Sequence, residues 1–340
     1  MKILFIFTGG TIGSTEEQGV ISARVGKAYS IIAAYEKKYG IDFEYDIKEP
    51  YTEVSENNTG HHIKTLCACV KESLSQTYDG IIITHGSDTL QYSAAALSYC
   101  LGLDTPLVCL VAANAPIEKD SSNALDNLRG AVLFIRTGTG RGVFAVYRNA
   151  ASHRIRVHRG TRLIGPKAYS DDLSSAKKSI FGEFDRELNF IKSPDHREYP
   201  DAIEPFDPKV LSENNNSALM LFSYPAMRYP EIGEGVRYVI FNTYHSGTLN
   251  TGSDAAKRFF TEARERGIPV YATGISTGAR YSSALLFEEL GITPVYELSP
   301  VAAYVKLWLA YASGSDPLKI LSSSLSGDII PPSDEDSDVK

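Results

Sequence analysis

The strongest constraint on the fold is a series of short apolar runs separated by amphipathic stretches. ILFIF (Ile3–Phe7), GIIITHG (Gly80–Gly86), PLVCLVAA (Pro106–Ala113) and GVFAVY (Gly142–Tyr147) are almost unbroken apolar segments, the pattern of strands buried on both faces. Between them lie HHIKTLCACVKESL and SDTLQYSAAALSYCLG, which carry helical spacing. Strand and helix in alternation predict an α/β protein with a parallel sheet covered by helices on both sides.

From Lys192 to Ala218 the chain is rich in Pro, Asp, Glu and Asn and loses its periodicity, which places an interdomain linker at 192–218. The alternation then resumes with VRYVIFNTY, DAAKRFFTEARERG, IPVYATG and a helical region from Ser299 to Ala312. The organisation expected is a large N-terminal parallel-sheet domain (1–191), the linker, a smaller C-terminal α/β domain (219–330) and an acidic tail (331–340) without apolar anchors.

Charge and cysteine usage narrow the function classes. A net charge of -7 argues against nucleic acid or an anionic membrane as the main partner. No apolar run approaches the ~20 residues of a membrane span, and no signal-peptide pattern is present, so a cytoplasmic protein is expected. Cys67 and Cys69 are two apart in a helical stretch and face different directions, while Cys100 and Cys109 sit in apolar runs as buried thiols do. His61 and His62 lie upstream of a C-x-C pair whose spacing does not suit zinc, so no metal is expected.

The first strand runs into FTGGTIG, Phe7 to Gly13. Its glycines fit neither the P-loop nor the dinucleotide spacing, and RTGTGRG (Arg136–Gly142) reads as a loop. Gly9 and Gly10 let the backbone turn sharply and approach a ligand closely, which sets the Thr11 hydroxyl at a carboxyl strand end, where open α/β sheets bind ligands. THGSDT (Thr84–Thr89) repeats the device, placing Ser87 and Asp88 between a strand and a helix N-terminus.

TGGTIG together with THGSDT resembles the paired signature of the bacterial-type L-asparaginase/glutaminase family, usually TGGTI and HGTDT. PLVCLVAANAP, DNLRGAV and YHSGT resemble further family segments in the same order. The resemblance implies a two-domain fold, active sites completed between subunits of a homodimer or homotetramer, a small amino-acid substrate and no cofactor. It maps the nucleophile to Thr11, with Gly10 beside it, and a second Thr-Asp-Lys set to Ser87, Asp88 and Arg159. Asp88 then holds the substrate α-ammonium group, and the carboxylate-binding pair falls on Glu56 and Asn57.

Departures accompany the match. Ungapped counting puts Val20 where the family has a tyrosine, with Tyr29 as a possible substitute, and Arg159 where it has a lysine. Arg holds an anion but makes a poor base. An ionised Glu56 repels a carboxylate, and a one-residue shift of that loop removes the conflict. Two functions follow: an amidohydrolase of asparaginase type acting through a Thr nucleophile, or a weak or inactive relative that binds an amino acid.

Overall fold

The computed structural model describes residues 1–17, 20–23, 26, 28–278 and 281–332. Strand β1 (Lys2–Phe7) leads through the hairpin β2 (Ser14–Glu17) and β3 (Val20–Ala23) to α1 (Ala28–Tyr39) and β4 (Glu44–Lys48). Helix α2 (Gly60–Ser73), β5 (Gly80–Thr84), α3 (Leu90–Leu101), β6 (Leu107–Val111), α4 (Ala124–Thr137) and β7 (Val143–Arg148) continue the alternation. The chain then turns back in β8 (Ile155–Arg159), pairs the short strands β9 (Leu163–Ile164) and β10 (Ser174–Ser175), and adds β11 (Gly182–Phe184) and β12 (Phe190–Lys192).

The large sheet has the order β12-β11-β8-β7-β6-β5-β1-β4. From β4 to β7 it is parallel, as the apolar runs predict, and β5 is buried along its whole length. Strands β8, β11 and β12 extend it antiparallel. These three are short or alternate Arg and His with apolar residues, so no unbroken apolar run marks them.

Strand β1 pairs with β4 on one side and β5 on the other, so the direction of winding reverses around β1. Helices α1 and α4 accordingly share one core with Ile3, Phe5 and Phe7, while α2 and α3 pack on the opposite face with Leu4 and Ile6. The carboxyl ends of β1 and β5 flank this reversal, the place where doubly wound sheets open a crevice.

The second sheet is parallel, in the order β13-β14-β15-β16, from β13 (Ala218–Phe222), β14 (Tyr238–Asn242), β15 (Val270–Ile275) and β16 (Ile292–Tyr296). Helix α5 (Asp254–Glu265) covers one face. Helix α6 (Pro300–Ser313) fills the space between the other face and α3, so Tyr238, Ile240 and Trp308 belong to the same core as α2 and α3. Ser299 caps α6 by accepting from Ala302 N, with Pro300 at the first helical position.

After α7 (Pro317–Ser322) the chain crosses back onto the first sheet's helices. Ser326 Oγ donates to Ser98 O at 2.6 Å, Thr161 Oγ1 donates to Ser326 O at 3.0 Å, and Arg162 Nε donates to Gly327 O at 2.7 Å. Asp328 accepts from Tyr99 OH at 2.9 Å and from Lys306 Nζ at 2.6 Å, and the Lys306 and Asp328 side chains are both 0% exposed. The acidic residues 333–340 fall outside the described residues.

Candidate active site

The crevice is built from backbone contacts that only glycine allows. Gly9 (φ 98°) and Gly10 (φ 70°) lie in the left-handed region. A Cβ on Gly9 would stand 2.4 Å from Glu53 O, and one on Gly10 would stand 2.3 Å from Gly86 N. Gly10 N donates to Glu53 O at 3.0 Å while Glu53 N donates to Thr8 O at 3.1 Å, which ties the first turn to the loop after β4. Thr11 begins a short 3-10 turn just beyond this contact and is partly buried.

The second turn is held from beneath. Thr8 Oγ1 donates to Thr84 O at 2.7 Å, joining the ends of β1 and β5. His85 is fully buried, and burial lowers its pKa, so the ring is neutral. Its Nδ1 lies 2.8 Å from Gly86 O, which can only accept, so Nδ1 carries the hydrogen and Nε2 accepts. Ser93 Oγ at 2.9 Å and Asn58 Nδ2 at 3.3 Å supply the donors. Asn58 also reaches Thr89 Oγ1, which itself donates to Ser55 O at 2.9 Å. The turn after β5, the loop after β4 and helix α3 are thereby locked around one imidazole.

Ser87 is partly buried and Asp88 exposed at the start of α3, one and two residues beyond the Gly86 contact. Glu56 and Asn57 are both exposed, and Asn57 Nδ2 donates to Glu53 Oε1 at 3.1 Å. The inward residue of that loop is Ser55, 3% exposed, so close to Gly86 that a Cβ there would lie 2.4 Å from Ser55 Oγ. Ser55 is not among the residues the sequence motifs point to, and a register that brings it into the carboxylate-binding pair keeps Glu56 as the second member. Tyr29 is 69% exposed on the first turn of α1, and the Val20 side chain falls outside the described residues.

Arg159 is not brought to this crevice. It pairs in register with Phe144, near the amino end of β7, and its guanidinium donates to Arg141 O at 2.6 Å at that end of the sheet. Glu198 clamps it with Nε–Oε1 at 2.5 Å and Nη2–Oε2 at 2.8 Å, and the Phe144 ring lies 4.0 Å beneath. The crevice lies at the carboxyl ends, so Arg159 serves the scaffold. Arg159 ends β8, which runs antiparallel to β7, so it lands at the end of the sheet opposite the crevice.

That chain climbs α3. A Cβ on Gly160 would lie 2.7 Å from Ser98 Oγ, in the third turn of α3, whereas one on Gly165 would lie 2.6 Å from Gln91 Nε2, in the first. Gln91 Nε2 donates to Asp88 O at 3.0 Å. Lys167, exposed, follows two residues after Gly165.

Among the described residues no group of three His, Cys, Asp or Glu side chains is placed to hold a metal. His62 instead caps α2, accepting from Thr59 N at 3.1 Å. Among those residues, too, no helix is long and apolar enough to cross a membrane.

A doubly wound α/β domain with two glycine-hinged hydroxyl turns at its switch point, joined to a smaller parallel-sheet domain, defines the class of protein. The family model described as "Asparaginase, N-terminal" matches residues 2–193, and the chain belongs to the asparaginase family of amidohydrolases. Similar relatives include a subunit of the glutamyl-tRNA(Gln) amidotransferase of Haloquadratum walsbyi, 26% identical over 96% of this chain and 75% of its own length. The corresponding polypeptide of Sulfolobus acidocaldarius is 25% identical with the same coverage. Among solved structures, the thermostable L-asparaginase from Thermococcus kodakarensis superposes with a TM-score of 0.80 at 23% identity, covering 98% of this chain and 100% of its own. The probable cytoplasmic L-asparaginase from Campylobacter jejuni gives 0.73 at 21% identity, covering 94% and 98%. These likenesses carry the fold.

Proposed function

We propose that the protein hydrolyses the side-chain amide of L-asparagine, L-glutamine or a close analogue, with Thr11 as nucleophile. The observation that carries this reading is the contact of Gly10 with Gly86, which sets two hydroxyl-bearing turns side by side at the switch point. Thr11 Oγ adds to the amide carbonyl, and its proton passes to a neighbouring base. The tetrahedral oxyanion is met by backbone N–H groups of the glycine turns. Collapse expels ammonia, and water then hydrolyses the Thr11 ester. Asp88 receives the substrate α-ammonium group, and Ser87 with Lys167 manages the proton. Ser55 takes the inward place by the substrate carboxylate, with Glu56 directed to solvent. The active unit in this reading is a homodimer or homotetramer.

The second reading, a weak or inactive amino-acid-binding protein, drew on two departures. Arg159 lies at the other end of the sheet, so the amidohydrolase reading assigns the lysine's part to Lys167. Ammonia release from asparagine and glutamine, compared between wild type and Thr11→Ala, tests the proposal. Turnover is expected in the wild type and lost in the variant. Release that survives Thr11→Ala at the wild-type rate rules out Thr11 as nucleophile.

A further inference from the structure

A separate cleft of about 340 Å³ lies between α4, the end of β7 and the β11–β12 turn, on the side of the sheet order away from β1 and β4. It gathers four arginines, Arg129, Arg148, Arg154 and Arg186, against two aspartates, Asp126 and Asp185. On a chain of net charge -7 this is a local reversal of sign. Both aspartates are already engaged: Asp126 accepts from Tyr39 OH at 2.6 Å and Lys38 Nζ at 3.2 Å, and Asp185 accepts from Asn189 N at 2.8 Å. Arg154 pairs with Glu183. Among the described residues no carboxylate pairs with Arg129 or Arg186. Arg148 Nε is buried and, although 3.0 Å from Asp126 Oδ2, meets no acceptor with hydrogen-bond geometry.

The rim is strained as well. His153 (φ 52°) and Leu188 (φ 63°) both line the cleft in the left-handed region, one at the tip of each hairpin. A bulky apolar residue rarely holds that conformation, at a cost of ~1–3 kcal/mol, and such strain clusters at ligand clamps.

We propose that this cleft binds the phosphate of a small phosphorylated molecule, a monoester or a diphosphate. Guanidinium forks match phosphate oxygens two at a time, and the volume suits a small ligand. A confined cleft on an acidic protein does not offer the extended basic track that a nucleic acid needs.

Calorimetric titration of the full chain with pyrophosphate tests this, against an Arg129→Gln/Arg186→Gln variant whose melting temperature reports its folding. Saturable binding to the wild type is expected, weakened about tenfold or more in the folded double variant. Absence of saturable binding at low ionic strength, or equal binding by both proteins, overturns the proposal. So does sulfate binding as tightly as pyrophosphate, which marks an unselective anion site. If the double variant unfolds, Arg186→Gln alone is read in the same way, since Arg186 is exposed on the turn. A short RNA that binds more tightly than pyrophosphate, and is lost in the same variant, overturns the small-molecule assignment.

Discussion

Gly10 and Gly86, on turns that follow adjacent strands, touch so closely that the amide nitrogen of one occupies the space of a side chain on the other. Gly10→Ala therefore meets both a 2.3 Å clash with backbone and a φ of 70°. Unfolding in denaturant should show a loss of roughly 1–3 kcal/mol or more, with amidase activity falling further because the two turns separate. Wild-type stability in this variant would show that the turns do not meet.

Lys167 and Arg159 should respond in opposite ways. Lys167→Ala should lower kcat by roughly 100-fold or more, the usual scale of proton-transfer assistance, with the melting temperature unchanged. Arg159→Lys loses the two-pronged bond to Glu198 and the stacking on Phe144. It should reduce stability and leave any catalytic defect proportional to unfolding. An Arg159→Lys protein that gains turnover would return Arg159 to the site.

Acid should destabilise the protein in two overlapping stages. Burial and the Arg156 charge lower the pKa of His158 from 6.5 to about 3, so folding favours its neutral form. Burial raises Glu198, but hydrogen bonds and charge from His196 and Arg159 outweigh it and bring the pKa from 4.5 to about 2. In both cases the unfolded chain binds more protons, so stability falls as pH drops, below 6.5 for His158 and below 4.5 for Glu198. Glu198 alone contributes roughly 3 kcal/mol above its unfolded pKa. Denaturation midpoints between pH 8 and pH 3 would reveal the slope, and Glu198→Gln should flatten its lower part.

Lys306→Met should cost about 3–5 kcal/mol, since it leaves the Asp328 carboxylate buried without its cation. A Lys306→Met/Asp328→Leu pair should recover part of that loss. Chemical denaturation of both, and of the wild type, checks the ordering.

The sheet was legible where strands are buried on both faces, because unbroken apolar runs such as Ile81–Ile83 admit few alternatives. The same rule hides β8, whose Arg156, His158 and Arg159 interrupt the run and find partners only in the folded state. The two hydroxyl turns could be read from glycine placement, since their contact excludes any side chain. The course of residues 160–165 could not, because it depends on Gly160 and Gly165 packing along α3, and no count of residues encodes that climb. Ser55 sits inward for a similar reason: the neutral His85 fixes the neighbouring Asn58, and the buried ring's tautomer has no local signature.

The return of residues 324–330 onto α3 has a consequence for the order of events during folding. Tyr99 meets Asp328 across 229 positions, and Thr161 meets Ser326 across 165. A ribosome releases the parallel strands first, but the helix beneath the Ser87 turn keeps an exposed flank until nearly the last described residue has emerged. Loop closure over such a span is slow. The first domain's packing is thus completed by residues from the far end of the described chain, with the buried Lys306–Asp328 pair at the junction.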